Sequence, residues 1–151
     1  MDVISRINSS GWHDCFFDSL NVDCDKVIVK ISYEGNHYHL NGTVNENHSD
    51  VHVSIHCNNH IGVLFIGQWD ESVIESIRIE TEGDSIDSSL LTMKRLSGEP
   101  PMLSPGVGLR KTDNTLHQLN IKLIDGVVIK IVCEDFMMEI GEANTENNDY
   151  G

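Results

Sequence analysis

Apolar and polar residues alternate with a period of two along most of this chain. In KVIVKISY, residues 26–33, the side chains of Val27, Val29, Ile31 and Tyr33 fall on one face. Such alternation is typical of a half-buried β-strand. Similar segments follow at 37–44, 51–57, 61–67, 73–80, 116–124, 127–134 and 135–141. The pattern predicts a chain built from seven or eight short strands.

Turn residues separate several of these strands. Asp125-Gly126 lies between the segments 116–124 and 127–134. This dipeptide suits the positive φ angles of a two-residue type I′ turn, so a β-hairpin is predicted here. Glu34-Gly35-Asn36 marks a second turn between two strand segments.

One segment breaks the alternation. Residues 84–98, DSIDSSLLTMKRLSG, carry apolar side chains near helical spacing, with Asp84 as a candidate cap and Gly98 as a stop signal. A short helix and an irregular crossover are both compatible with this pattern. Residues 97–114 hold all three prolines of the chain and predict a long loop between two groups of strands.

The strand pattern defines the fold class. Several short strands with at most one short helix predict a mainly β protein, an antiparallel β-sandwich or flattened barrel of about seven to eight strands. Residues 1–140 form a single β-rich domain on this interpretation. Residues 141–151, GEANTENNDYG, have almost no apolar content and predict a disordered acidic tail.

The chain is strongly acidic, with a formal net charge of −14. Residues 1–90 hold 15 acids and 4 bases, a net of −11, and residues 91–151 hold 9 acids and 6 bases, a net of −3. This charge repels nucleic acid and anionic lipid, so neither is an expected partner, and it favours a basic protein. The alternative is that the acidity serves solubility alone.

Location and redox state follow from what the sequence lacks. There is no apolar run of about 20 residues and no secretory signal pattern, which predicts a cytoplasmic protein. The four cysteines form no CxxC pair, so reduced and mostly buried thiols are expected. No cofactor is predicted, and the oligomeric state is left open.

Histidine is abundant in one part of the chain. Six of the eight histidines lie between residues 37 and 60. On a strand, His37 and His39 would share a face, as would His52 and His56, and histidine nitrogens are zinc ligands. The spacing matches no short zinc motif, and exposed polar strand faces explain it equally. A metal- or ligand-binding β-domain using the His-rich strands 37–60 is therefore kept as the alternative function.

Trp12-His13-Asp14 poses the question of an active site. Trp12 offers a large apolar area for a core, and Asp14 can close a turn before a strand. A catalytic His–Asp pair also needs a nucleophile, and the sequence names none. Metal-independent RNA cleavage by histidines and a lysine is opposed by the net charge. No hydrolase, nucleotide-binding or metalloprotease motif occurs, so the chain is predicted not to be an enzyme and to have no catalytic residues.

A candidate binding surface begins at Trp69. This residue follows the apolar segment 61–67 and combines an interface anchor with neighbouring acids, although packing into the core is the competing interpretation. Seven acids lie within the 18 residues 70–87. The predicted partner-binding residues are Trp69, Asp70, Glu71, Glu75, Glu80, Glu82, Asp84 and Asp87. A second group of acids, expected on the binding surface after the first, comprises Asp14, Asp18, Asp23 and Asp25.

Two stretches carry a family resemblance. Trp12-His13-Asp14 is followed by Phe17, Leu20, Val22 and the strand Val27-Ile28-Val29, and residues 61–80 join an apolar strand, a Trp-Asp turn and a returning strand. This arrangement resembles bacterial immunity proteins of contact-dependent growth inhibition and polymorphic-toxin systems. The resemblance implies a cytoplasmic antitoxin that binds the C-terminal domain of one cognate toxin, and it assigns no catalytic residues. A nuclease toxin with a basic active-site cleft would fit the acidic charge.

Overall fold

The fold is mainly β, as the alternation predicts. A computed structural model describes residues 2–33, 50–68, 72–96 and 114–142. Within these ranges the helices and strands are α1 Val3–Ser9, β1 Phe16–Val22, β2 Lys26–Tyr33, β3 Val51–Asn58, β4 Gly62–Ile66, β5 Ile74–Thr81, α2 Asp84–Leu96, β6 His117–Leu123, β7 Val128–Cys133 and β8 Asp135–Glu142. The fold class is confirmed, but the described residues hold two helices where at most one was expected.

The strands form two four-stranded antiparallel sheets. The first sheet has the order β1-β2-β3-β8 and the second the order β4-β7-β6-β5. Only Glu134 separates β7 from β8, so one extended stretch passes from one sheet to the other. Near the start of β1, Phe16 bridges to Val73, and the N–H of Phe17 donates to the carbonyl of Ser72 over 2.7 Å. The sandwich is therefore joined by main-chain contacts at two places.

The core lies between the sheets and is built from alternate strand residues. Val27, Val29 and Ile31 of β2 are fully buried, as are Leu119 and Ile121 of β6. Burying one such aliphatic side chain contributes about 1.5–3 kcal/mol relative to leaving it in water. A shift of one residue would turn the whole apolar set outward, so the period of two excludes register shifts by an odd number of residues.

The predicted hairpin between β6 and β7 is present, but its turn differs from the prediction. The N–H of Leu123 donates to the carbonyl of Val127 over 2.9 Å, and the N–H of Gly126 donates to the carbonyl of Leu123 over 3.0 Å. These bonds enclose a three-residue loop, 124–126, in which Gly126 has a φ of 94°. The two-residue type I′ turn is therefore wrong. Asp125 instead accepts the N–H of Val127 with its side chain over 3.1 Å, and only the glycine needs the left-handed conformation.

Helix α2 lies on the outer face of the second sheet, against β4 and β7. Its buried residues Ile86 and Met93 pack with Leu64 and Val132. Contact with β4 is so close that a Cβ added to Gly62 would lie 2.6 Å from the sulfur of Met93. Glycine at this position lets the second half of α2 approach the sheet closely.

The beginning of α2 corrects the predicted cap. Asp84 is the first residue of the helix rather than its cap. The carbonyl of Gly83 accepts the N–H of Asp87 over 3.1 Å, so Gly83 occupies the capping position. Asp84 and Asp87 both lie in the first turn, where negative charge interacts favourably with the helix dipole.

Helix α1 was not predicted, because it has only seven residues and is held in place by contacts with residues distant in the sequence. Asp2 caps it by accepting the N–H of Ser5 over 2.7 Å, and this hydrogen bond lowers the pKa of the Asp2 carboxyl. The side chain of Asn8 pairs with the main chain of Ile79, accepting its N–H over 2.6 Å and donating to its carbonyl over 3.1 Å. Asn8 thereby satisfies main-chain groups on β5, an edge strand.

Some predicted segments lie outside the described residues. They are the strand 37–44, the turn at residues 34–36, most of the loop 97–114 and the tail from residue 143 onward. Strand β8 ends at Glu142, two residues inside the predicted tail 141–151. Strand β1 went unpredicted because FFDSLNV mixes apolar and polar residues without clean alternation, and a register shift between Phe17 and Ser19 interrupts its pairing with β2.

Candidate functional site

The structure divides the predicted partner-binding residues. Trp69, Asp70 and Glu71 lie outside the described residues. Glu75 stands near the start of β5, and its carboxylate lies 3.2 Å from the ammonium of Lys122, so it is neutralised. Glu80 is five residues further along the strand, about 16 Å away at the usual rise per residue. Glu75 therefore does not belong to the surface formed by the remaining acids.

Four of the predicted acids gather where β5 ends and α2 begins. We refer to Glu80, Glu82, Asp84 and Asp87 as the acid cluster; all four side chains are exposed. The turn that joins the two elements has a φ of 46° at Glu82 and 130° at Gly83. The N–H of Glu82 donates to the carbonyl of Leu116 over 3.1 Å, which ties this turn to the chain entering β6.

The carboxylates of the acid cluster form no direct ion pairs among the described residues. Within the described part of the chain, no lysine or arginine nitrogen forms an ion pair within 4.0 Å of these four carboxylates, in contrast to Glu75 and Lys122. The residues also belong to the more acidic part of the sequence, 1–90. Unbalanced carboxylates at one place raise the local negative potential and attract a basic surface.

A cleft opens beside the acid cluster. Its volume is about 320 Å³, and the residues lining it come from the β5–α2 turn, the first half of α2 and the segment entering β6: Glu82, Gly83, Ile86, Asp87, Leu90, Asn114 and Leu116. Ile86, Leu90 and Leu116 also belong to the small apolar cluster beneath α2. The cleft thus combines an apolar wall with two carboxylates.

We expect Glu82→Asn to stabilise the fold. A non-glycine residue with positive φ is strained, and asparagine tolerates this region better than glutamate. Because the Glu82 side chain is exposed and makes no ion pair among the described residues, the gain should be about 0.5 kcal/mol in the free energy of unfolding, measured by urea denaturation. Glu80→Asn, at an ordinary strand position, serves as control and should bring no gain. A loss of stability on Glu82→Asn would mean that the Glu82 carboxylate supports the turn.

Trp12 is a core residue, as the structural interpretation of Trp12-His13-Asp14 predicted. It is 3% exposed, its indole N–H donates to the carbonyl of Ile7 over 2.8 Å, and its ring centroid lies 5.5 Å from that of Tyr33. His13 and Asp14, by contrast, point to solvent, with Nδ1 and Oδ2 3.1 Å apart and side chains 68% and 56% exposed. The tripeptide therefore fastens α1 to the first sheet through its tryptophan.

Three of the second group of acids hold local structure with their side chains, whereas Asp25 is exposed and contributes its main-chain carbonyl to a hydrogen bond with Asn59. Asp14 contacts His13, Asp18 accepts the hydroxyl of Ser32, and the side chain of Asp23 accepts the N–H of Cys24 over 3.0 Å. These carboxylates serve turns and strand contacts, in contrast to the acid cluster.

The histidines on β3 share one outward face, as their spacing predicted. His52 and His56 both alternate with the buried residues of this strand. His56 is 8% exposed, stands between Ile28 and Met137 on the neighbouring strands, and places Nε2 3.8 Å from the carboxylate of Glu139. No group of three metal-ligating side chains occurs among the described residues. Other members of the predicted histidine site, His37, His39 and His48, lie outside them.

Three of the four cysteines are buried, and Cys24 is exposed. Burial raises the pKa of the Cys15 thiol to about 12. A hydrogen bond with Cys57, together with burial, raises the pKa of Cys133 above its ordinary value. The thiolate is the nucleophilic form of cysteine, and burial disfavours it at both Cys15 and Cys133.

The sequence did not predict that the segment before β6 lines the cleft. Asn114 and Leu116 line the cleft although they are some thirty residues from Glu82 and Asp87 along the chain. The pairing of Thr81 with His117 across β5 and β6 brings them there. Only the register of these two strands could have indicated the contact, and the alternation does not fix which residues of the two strands face each other.

Comparison with known proteins adds no assignment. The chain matches no protein-family model, and neither the curated proteins nor the solved structures give a significant match. Neither helix in the described part of the chain is long and apolar enough to cross a membrane.

Proposed function

We propose that this chain is a cytoplasmic immunity protein that binds the C-terminal domain of a cognate bacterial toxin and neutralises it. The toxin is a nuclease, and the immunity protein covers its basic active-site cleft. The observation that carries this proposal is the acid cluster, which is exposed and lacks ion-pair partners among the described residues. The resemblance of residues 11–80 to immunity proteins supports the same function.

Charge gives this function a physical basis. A nuclease must attract phosphate, so its active-site cleft is lined with basic residues. An acidic protein surface is drawn to such a cleft, and electrostatic attraction can bring association rates to 10⁸–10⁹ M⁻¹s⁻¹ at low salt, against about 10⁵–10⁶ M⁻¹s⁻¹ without it. Fast capture matters for an antitoxin, because each free toxin molecule damages the cell until it is bound.

The proposed action is binding without turnover. Buried, protonated thiols at Cys15 and Cys133 and the exposed His13–Asp14 pair supply no assembled nucleophile within the described residues. The protein would therefore neutralise toxin in proportion to its amount. A catalytic inactivator would instead destroy many toxin molecules per copy.

The test begins with the gene immediately upstream. We expect it to encode a large secreted protein whose C-terminal domain is a toxin, and we expect expression of that domain to arrest growth unless this chain is co-expressed. Titrating the purified toxin domain with this chain should reduce its nuclease activity linearly to zero at one equivalent. Failure to protect cells and to form a complex would overturn the proposal. Complete inactivation of the toxin by a small fraction of an equivalent would show that this chain inactivates the toxin catalytically and does not act by one-to-one binding.

A further inference from the structure

The cleft beside the acid cluster has the dimensions of a small recognition site. Its volume of about 320 Å³ lies at the lower end of the range for small-ligand pockets, enough for one long side chain. Ile86, Leu90 and Leu116 form an apolar wall, while Glu82 and Asp87 place carboxylates at its rim. An occupant that fits both features needs an aliphatic part and a positive charge.

The rim is held in place by main-chain hydrogen bonds. The N–H of Glu82 donates to the carbonyl of Leu116 over 3.1 Å, and the N–H of Asp87 donates to the carbonyl of Gly83 over 3.1 Å. Both carboxylates therefore belong to residues whose backbone is anchored beside the cleft. A site that is already formed loses less conformational entropy on binding than one that must order itself.

The charges at the rim favour a cation, although the rim lies at the N-terminal end of α2, where the helix dipole is positive. The beginning of α2 carries about half a positive charge from the helix dipole. Asp84 and Asp87 in the first turn bring two negative charges, and Glu82 brings a third, so the negative charges exceed the dipole. A neutral apolar occupant would leave Glu82 and Asp87 partly desolvated without a partner, which costs free energy.

We propose that this cleft receives one arginine or lysine side chain from the surface of the protein partner. The methylene groups of that side chain lie against Ile86, Leu90 and Leu116, and its cationic end lies between Glu82 and Asp87. Long basic side chains commonly place their aliphatic part on apolar surface while keeping the charge at a polar rim. This inference rests on the proposed function for the identity of the partner, but the cleft can be tested without any toxin.

The test uses the full chain with ¹³C-labelled isoleucine and leucine methyl groups and N-acetyl-arginine-N-methylamide as the probe. We expect saturable NMR shifts of the methyl groups of Ile86, Leu90 and Leu116. N-acetyl-citrulline-N-methylamide, which is nearly the same shape without the charge, should bind much more weakly. Methylguanidinium, which has the charge without the stem, should also bind more weakly, and so should spermidine, which lacks a side chain of this shape.

Two double variants distinguish binding of the arginine probe in the cleft from nonspecific attraction of the probe to an acidic protein. Glu82→Gln/Asp87→Asn should weaken binding of the arginine probe about fivefold, since each exposed ion pair contributes modestly. Asp125→Asn/Glu139→Gln removes the same charge at two exposed sites outside the cleft and should leave binding unchanged. Circular dichroism confirms that both variants are folded.

Three results would overturn the inference: no saturable shift of these methyl groups, equal binding of the citrulline analogue, or equal loss of binding in the two double variants. None of them bears on whether the chain protects cells from a toxin, which the growth assay decides. Conversely, the arginine probe could bind in the cleft while the growth assay fails. The cleft would then still be a site for basic side chains, and the proposed immunity function would be rejected.

Discussion

Glu82→Lys/Asp87→Lys is expected to slow association with the toxin domain about tenfold or more at low ionic strength. The double substitution changes the charge of the acid cluster by +4 while leaving most of the fold untouched. Long-range attraction mainly sets the association rate, so dissociation should change less than association unless the cleft also holds a basic side chain. Stopped-flow fluorescence with a labelled toxin domain measures both rate constants.

The matched control for this variant is Asp125→Lys/Glu139→Lys. Both residues are exposed. Asp125 stands in the β6–β7 turn, at the opposite end of the second sheet from the β5–α2 turn, and Glu139 stands on β8 of the first sheet. The control has the same net charge as the test variant, so any difference between them reports position. Asp87→Lys also removes a favourable dipole interaction of about 0.3–1 kcal/mol, and thermal unfolding should show that α2 persists.

Salt provides an independent check on the same prediction. The Debye length falls from about 30 Å at 0.01 M to about 10 Å at 0.1 M ionic strength, which screens steering between exposed charges. The association rate of the unmodified protein should therefore fall with salt more steeply than that of Glu82→Lys/Asp87→Lys. Equal salt dependence and equal association rates for the test and control variants would show that the acid cluster does not guide the encounter.

Trp12→Ala should cost about 3–5 kcal/mol of the free energy of unfolding, the range for removing a large buried aromatic side chain. Trp12 is 3% exposed and links Ile7 of α1 to Tyr33 of β2. A domain of this size is typically stable by about 5–15 kcal/mol, so this loss is a large fraction of the total. Urea denaturation followed by circular dichroism measures it.

A second substitution at the same position separates packing from hydrogen bonding. Trp12→Phe keeps an aromatic ring but loses the indole N–H that donates to the Ile7 carbonyl over 2.8 Å. That carbonyl still accepts the N–H of Ser10 over 3.3 Å, so the expected cost is only about 1–2 kcal/mol. Leu96→Ala, at a 75% exposed position, should change stability by less than about 0.5 kcal/mol. A cost below 1 kcal/mol for Trp12→Ala would contradict the placement of this residue in the core.

The alternation of apolar residues was enough to predict the class of fold, because burial on one face of a strand has a period of two. Strand β2 covers residues 26–33 as predicted, and the hairpin of β6 and β7 was recognised from Asp125-Gly126. The turn type was wrong because one dipeptide suits both a two-residue and a three-residue loop. Helix α1 was missed because its anchor, Asn8 on Ile79, joins residues 71 positions apart.

From the sequence, only the acidic composition of the candidate site could be predicted, and its geometry could not. Counting acids between residues 70 and 87 found the acid cluster, but the count also included Glu75, which Lys122 neutralises. That pairing arises across β5 and β6, so it could not be inferred from local sequence. The cleft depends on α2 packing onto the second sheet and on the segment with Asn114 and Leu116 passing beside it.

If the partner binds at the acid cluster, amide hydrogen exchange of the complex will locate the contact there. The protein is measured alone and with one equivalent of the toxin domain encoded upstream. We expect slowed exchange at residues 80–90 and 114–118, with little change in β8. Slowed exchange confined to other strands, with residues 80–90 exchanging as fast as in the free protein, would contradict it.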